Sequence, residues 1–457
     1  MSRMKQIDDE RLNHALALNA KLLCSGVFVV GREPEEFIAN DLQETDWFDW
    51  DAVDLTIDRQ SKLVTLAARG IARTAVCNGR QGCTIIPRGD STLHFTPVDF
   101  APNLPDAATT VWPMGDREPD SPPPSVDRDA LEAAFDRALD DAALPVPQMT
   151  RSLVVVHGGR VVGERYAAGM GPGTRHVSWS SGKSITAALI GILVGDGVFN
   201  VDDPAPVAEW REPGDPRGEI TIAHLLRMSS GLTFVRHLKE DDRYLSASND
   251  HNMIYHSAID VFRHSIERPL EYPPNTVWCY HNCDPLTLGA ILRRTVEARG
   301  EEYLTYPQRA LFDKIGIRDH ILEVDPWGNF VMTGFDYGTG RDWARFGLLH
   351  LWDGVWKPTG ERILPAGWVD TIRTPAPADD TLGYGGQFWL NAGGRHPNIP
   401  RDAFWAAGAW GQLTMVIPSR DTVIVRLGHT RDSESLDAYI DDTFSGILAA
   451  LDGTGNR

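Results

Sequence analysis

Ser180 and Lys183 stand three residues apart in Trp179-Ser180-Ser181-Gly182-Lys183-Ser184-Ile185-Thr186, at the head of the apolar run Ala187 to Val194. On a helix, that spacing brings both side chains to one face of the first turn. A serine hydroxyl is a poor nucleophile until something takes its proton. A lysine amine can take it once burial and neighbouring positive charge disfavour the ammonium form. The N-terminus of the helix adds a positive field and free backbone N–H groups. The chemistry open to this pair is acyl transfer through a serine ester.

The pattern itself is common: Ser2 and Lys5 repeat it in a polar N-terminus with no apolar run behind them. Taken alone, Ser180 reads equally well as a helix cap and Lys183 as a solvated side chain. A second pattern lies downstream. Tyr280-x-Asn282 is the one Tyr-x-Asn among the ten tyrosines, and it precedes the helical run Leu286 to Arg294. A phenol beside a cation is a usable proton carrier. The Asn282 amide can hydrogen-bond Lys183 or a substrate carbonyl.

These groups need a scaffold. Ser152 to Tyr166 reads as a β-hairpin, two β-branched runs about Gly158-Gly159. The Ser180 helix follows, then mostly helices and loops to about Leu351. Strands are expected at Gly385 to Leu390, Thr414 to Ile417 and Thr422 to Leu427, and a closing helix over Ser435 to Leu451. Strands at both ends of this region and helices between suggest one sheet built from distant sequence.

Ahead of it, residues 1–100 read as a small α+β domain: a helix over Arg11 to Leu23, then strands at Ser25 to Arg32, Val53 to Ile57, Leu63 to Leu66 and Thr84 to Ile86. Pro102 to Pro124 holds seven prolines in 23 residues, so residues 101–128 read as an extended linker or wrapping arm. A helix over Asp129 to Asp141 opens the third region, residues 129–457.

Together the motifs resemble the serine β-lactamase and penicillin-binding-protein superfamily, in its class C-like branch, over roughly Ser152 to Leu427. Ile220 to Leu232 and Asp342 to Leu349 are similar to two further segments of that branch. The resemblance implies a β-lactamase/transpeptidase-like α/β (α+β) fold, an antiparallel sheet flanked by helices plus a helical subdomain. It implies that Ser180 is acylated, Lys183 activates it, Tyr280 is the general base and Asn282 orients.

A Lys-Thr-Gly or His-x-Gly triplet normally follows on the sheet edge. Here the matching stretch is Phe404 to Leu413, and Ala406-Ala407-Gly408 stands in the triplet's place, an alanine at its cationic position. The resemblance makes the oxyanion hole the backbone N–H groups of Ser180 and Ala409, donors that survive side-chain change. Gly408 and Gly411 are expected where backbone approaches substrate. The Gly-x-x-Gly-Gln form is closer to 6-aminohexanoate-dimer hydrolases and family VIII esterases than to strong β-lactamases.

Trp179, Trp278, Trp405 and Trp410 cluster at the motifs, with Trp410 the candidate to line an acyl pocket. Asp242, Tyr244 and Asp250 belong to an acidic loop, Lys239 to His251, that reads as solvated, with Tyr244 its candidate substrate contact. His157, His224 and His429 are expected to satisfy hairpin or core hydrogen bonds. Cys279-x-His281-x-Cys283 would crowd three metal ligands onto five residues, so small, half-buried thiols are the better reading.

The net charge of −19 argues against nucleic acid or an anionic membrane as partner. No window is read as long and apolar enough to span a bilayer. With no apolar core before Asp8-Asp9-Glu10 no secretory signal is visible, so the expected location is cytoplasmic, or periplasmic if a leader has been removed. Five cysteines, an odd and sparse set, do not make a disulfide scaffold. The expectation is a hydrolase of a small-molecule amide or ester with no cofactor and no metal, and nothing fixes its oligomeric state. A penicillin-interacting protein or DD-peptidase, and a non-catalytic binding relative, stay open beside it.

Overall fold

The computed structural model describes residues 4, 7–42, 47–90, 92–121, 123–235 and 249–453. Tyr244 and Asp242, like Ser2 and Lys5, lie outside the described residues.

A six-stranded sheet carries the C-terminal region, in the spatial order Trp389–Leu390, Phe404–Gly408, Gln412–Ile417, Thr422–Gly428, Thr150–His157, Arg160–Tyr166. Every pairing is antiparallel, and sequence-distant strands meet at its centre, Val425 opposite Val154. Gly158 and Gly159 turn the hairpin at φ 58° and 75°, a left-handed region that glycine enters freely.

The run Leu153-Val154-Val155-Val156 is apolar without interruption because both sheet faces are covered. Leu153 and Val155 join Trp405, Met415 and Ile424 in a core closed by the helices Arg128–Leu139 and Ser433–Leu451. Val154 and Val156 face the other way, with Phe404, Ala406, Val416, Val423 and Val425. That second core takes in the helices Gly182–Gly195, Cys283–Ala298 and Gly340–Leu351. Each fully buried aliphatic side chain contributes about 1.5–3 kcal/mol.

The larger core continues into the N-terminal unit. Its helix Asp9–Ser25, capped by Asp8 accepting from the Arg11 N–H, places Leu12, Leu16 and Leu23 in the same cluster as Val154. Beside it stands a four-stranded sheet, Asp54–Asp58, Leu63–Ala68, Ile71–Cys77 and Cys83–Ile85 in that order. The proline-rich stretch wraps the C-terminal region. Arg345 donates to the Pro113 and Gly115 carbonyls at 2.7 and 2.9 Å, and Trp112 Nε1 to the Gly159 carbonyl at 3.1 Å.

Three sequence expectations change. The stretch Ser25 to Arg32 is not a strand: Gly26–Val30 continue the preceding helix as a π-helical turn. The Gly31 and Arg32 N–H groups both donate to the Gly26 carbonyl, which locks it. The continuous segment Asp9–Val30, 22 residues, is by length and composition long and apolar enough to cross a membrane, although most of its apolar stretch is buried inside this structure. Finally, only Trp389–Leu390 of the expected Gly385 to Leu390 strand pairs. Gln387 turns away at φ 62° and ties itself to the Leu225 and Leu226 carbonyls.

Buried histidines make the fold acid-sensitive. Burial first, then the nearby Arg151, push His176 and His429 down to about 3. The unfolded chain therefore binds protons that the folded one refuses, and stability is complete above the ordinary histidine range and lost as pH falls. Lowering the pH from 7 to 5 is expected to cost about 2 kcal/mol per histidine. Thermal melts at the two pH values test this, and an unchanged Tm would refute it.

Candidate active site

Trp179–Ser181 form a 3₁₀ turn that feeds directly into the helix Gly182–Gly195. Trp179 sits at φ 49°, an uncommon conformation for a bulky residue that only surrounding packing sustains. Three aromatic rings supply that packing: Tyr255, Phe335 and Trp410, at 6.3, 6.1 and 4.8 Å. Gly182 is required by close approach, since a Cβ there would lie 2.7 Å from both the Met332 carbonyl oxygen and Asp336 Oδ1.

The turn leaves Ser180 half-buried beside a lysine that is only 1% exposed. Lys183 Nζ lies 2.8 Å from Ser180 Oγ. Both also donate to one acceptor, the Thr333 carbonyl, Ser180 Oγ at 3.3 Å and Lys183 Nζ at 3.4 Å. Tyr255 OH donates to the same oxygen at 2.6 Å. Neither the serine nor the lysine acts as a solvated helix-end residue.

Tyr280 is delivered by a loop bound edge to edge to the segment Met228–Gly231. The Glu271, Asn275 and Cys279 N–H groups donate to the carbonyls of Gly231, Ser229 and Met228 at 2.8, 2.8 and 2.9 Å. The short helix Ile222–Leu226, closed by a Thr221/His224 capping box, anchors that segment. The Tyr280 ring then stands over Lys183, its centroid 4.8 Å from Nζ, and against Tyr384 and Trp389 at 5.7 and 5.3 Å. Asn282 begins the helix Cys283–Ala298 without a side-chain cap bond, and its buried Nδ2 meets His251 Nδ1 at 3.3 Å.

The strand Phe404–Gly408 lies against the serine turn. A Cβ on Gly408 would stand 2.0 Å from the Ser178 carbonyl oxygen, so this glycine serves contact with the turn that carries Ser180. Ala409 follows, exposed, in the turn Ala409–Gly411. Trp410, at φ 62°, packs edge-on to Trp179. Gly411 has φ 80° and makes room for Arg426. Arg426 is fully buried and donates to the Trp410 and Gly411 carbonyls at 3.0 and 2.8 Å, fixing the turn from behind.

The expected residues Ser180, Lys183, Tyr280, Ala409 and Trp410 thus belong to one neighbourhood of contacts, with Asn282 reaching it through His251, whose ring packs on Tyr255. Trp405 does not share it, because strand alternation sends its side chain into the opposite core. His157 and His224 have the expected bonds, to Thr422 and Thr221. His429 does not: among the described residues neither of its ring nitrogens has a hydrogen-bond partner, and the ring packs 4.3 Å from Trp410. Asp250 is not solvated either, but buried and paired with His264, Arg268 and the Val235 N–H. Sequence reasoning missed Tyr255, which sits in no motif, and the Thr333 carbonyl, which as backbone leaves no residue signature.

A family-wide sequence profile described as Beta-lactamase matches residues 146–443. The 6-aminohexanoate-dimer hydrolase of Paenarthrobacter ureafaciens is 26% identical over 343 residues, covering 70% of this chain and 82% of its own. Among solved structures, a candidate 6-aminohexanoate-dimer hydrolase from Bacillus anthracis superimposes with a TM-score of 0.55 at 22% identity, over 70% of this chain and 83% of its own. A family VIII carboxylesterase does so with a TM-score of 0.53 at 15% identity, over 73% and 99%. The β-lactamase/transpeptidase-like fold is common to them.

The tight seam between Gly408 and Ser178 yields a test. Gly408→Ala must push the strand away from the serine turn, so reaction of Ser180 with an activated fluorophosphonate should slow by about tenfold or more, as expected when reacting groups are misplaced by a fraction of an ångström. The rate is read by intact mass, and unaltered labelling would show that the seam does not matter.

Proposed function

Because the chain belongs to the Beta-lactamase family, a hydrolase family with amidase and esterase members, we propose that it cleaves an amide or ester through an acyl-Ser180 intermediate. The observation that carries this reading is the 2.8 Å contact between Lys183 Nζ and Ser180 Oγ, made by a lysine buried at the start of a helix. Such a contact is the geometry an activated nucleophile requires.

In the forward half-reaction Ser180 Oγ adds to the substrate carbonyl carbon, and its proton passes to the Lys183–Tyr280 pair. The carbonyl oxygen takes up negative charge opposite the Ser180 and Ala409 N–H groups. Collapse expels the amine or alcohol, which leaves with the proton. Water then repeats the sequence on the acyl-serine and releases the acid. The Thr333 carbonyl accepts from Lys183 and, until Ser180 gives up its proton, from the serine hydroxyl, and Asn282 acts as the orienting amide.

Ala406 supports an amidase or esterase over a β-lactamase. It is 1% exposed, in the core, at the position where the resemblance expects a cation to hold a substrate carboxylate. The similarity to 6-aminohexanoate-dimer hydrolase points the same way. The aromatic surround of Ser180, with Trp179, Trp410 and Tyr280, favours substrates with apolar acyl chains.

Ser180→Ala should fold normally, abolish turnover and trap no acyl-enzyme with a slow ester. Lys183→Met and Tyr280→Phe should each lower kcat by roughly 10²–10⁴-fold, the usual worth of a positioned acid–base group. A panel of p-nitrophenyl esters, aminoacyl amides and nitrocefin decides the substrate class. Rapid nitrocefin turnover would replace this reading with that of a β-lactamase, and a Ser180→Ala protein retaining a tenth of the wild-type rate would end it.

A further inference from the structure

Lys21 and Glu323 form an ion pair with side chains 1% and 0% exposed, between the first helix and the catalytic region. A carboxylate so deeply buried survives only when its oxygens are fully engaged. Three groups of the N-terminal unit engage it: Lys21 Nζ and, at 2.8 and 2.7 Å, the hydroxyl of Ser25 and the N–H of Cys83. Gly82, at φ 62°, completes the enclosure, because a Cβ there would lie 2.3 Å from Glu323 Cγ. Lys21 and Ser25 come from the helix and Cys83 from the small sheet, so the whole unit converges on one side chain. All three precede the segment 146–443 that matches the family.

The backbone of Glu323 in turn closes a turn over residues 331–335. The Val331 N–H donates to the Glu323 carbonyl at 2.9 Å, and the Glu323 N–H donates to the Phe335 carbonyl at 2.9 Å. Inside, the Gly334 and Phe335 N–H groups return to the Val331 carbonyl at 3.2 and 3.0 Å. At its tip is Thr333, whose carbonyl receives Ser180 Oγ, Lys183 Nζ and Tyr255 OH. Lys21 adds a second grip, its Nζ 3.4 Å from the centroid of the Phe335 ring, which itself packs on Trp179 and Tyr255.

We infer that the N-terminal unit is a positioning element of the active site: Lys21, Ser25 and the Cys83 amide hold Glu323, and Glu323 holds the turn that presents the Thr333 carbonyl to Ser180 and Lys183. The inference rests on the acyl-serine reading for its consequence in catalysis, but its structural content stands apart from it. None of the three groups touches substrate. They act through one carbonyl oxygen, and an error of a fraction of an ångström there misaligns the nucleophile.

The test compares full-length wild type with Lys21→Met, Glu323→Gln and a control, Leu12→Ala, which opens a cavity in the same helix away from Glu323. Hydrogen exchange is followed at the amides of Val331, Gly334 and Phe335, and labelling of Ser180 by a fluorophosphonate in parallel. Both site variants should raise exchange at those amides by about tenfold or more and slow labelling to a similar extent. Leu12→Ala should lower Tm yet move neither. Ser25→Ala, which removes one of the three bonds, should show a smaller effect in the same direction, and it decides the matter if Lys21→Met does not fold. Exchange within twofold of wild type in the variants would overturn the inference. Wild type that takes no label at Ser180 would instead sink the acyl-serine reading, with exchange still deciding the positioning role.

Discussion

A lysine amine placed where only 1% of the residue meets solvent dominates this architecture. Burying such a group without partners costs several kcal/mol, so every neighbour of Lys183 must be fixed before the amine can be tolerated. Ser180 Oγ and the Thr333 carbonyl receive it, and the Tyr280 ring lies over it. Each partner arrives from a different part of the chain: the serine one turn away, the carbonyl from a turn 150 residues on, the tyrosine from a loop bound to Met228–Gly231. The same demand explains Gly182, since the Met332 carbonyl can come close to this turn only if residue 182 lacks a Cβ. Burial of the lysine and its 2.8 Å contact with the serine are two results of one arrangement.

Sheet and helix meet at a second constraint. The strand Phe404–Gly408 runs against the serine turn, and the missing Cβ of Gly408 permits the approach to Ser178. Two left-handed residues in succession, Trp410 and Gly411 at φ 62° and 80°, then reverse the chain. A turn so conformed needs support, and Arg426 supplies it from within the core. Burial pushes its guanidinium down to about 10, which leaves it charged at neutral pH.

Much of the site was legible because its residues sit in local patterns with a physical reason. Ser180 and Lys183 share a helix face, Gly158-Gly159 demands a hairpin, and Tyr280-x-Asn282 precedes a helix. What escaped was non-local or backbone-borne. The Thr333 carbonyl could belong to any residue type, and the bond between Tyr255 and Thr333 spans 78 positions. Val27-Phe28-Val29-Val30 carries β-branched residues and reads as a strand, yet the Gly26 carbonyl captures two N–H groups and continues the helix. Backbone bonds five and six residues apart overrode side-chain preference there. Gln387 escaped for the non-local reason, its conformation dictated by carbonyls more than 150 residues away. Lys21 belongs to no motif, and nothing nearby in sequence announced Glu323.

The alanine at position 406 raises the question of whether another cation replaces the one the resemblance expects. Arg426, two strands away in the same sheet and holding the Trp410 turn, is the obvious candidate. Its hydrogen bonds answer the question. A guanidinium has five N–H donors, and here Nε donates to Thr150 Oγ1, one terminal nitrogen to the Trp410 and Gly411 carbonyls, and the other to the Gln148 carbonyl and Thr430 Oγ1. Every donor is spent on the protein. Taking a substrate carboxylate would mean releasing carbonyls already out of contact with water, which costs the desolvation penalty of each. Arg426 therefore works as an internal brace, and on the acyl-serine reading proposed above recognition near Ser180 would fall to backbone N–H groups and aromatic surfaces rather than to charge. That division of labour suits a neutral acyl chain better than an anionic one.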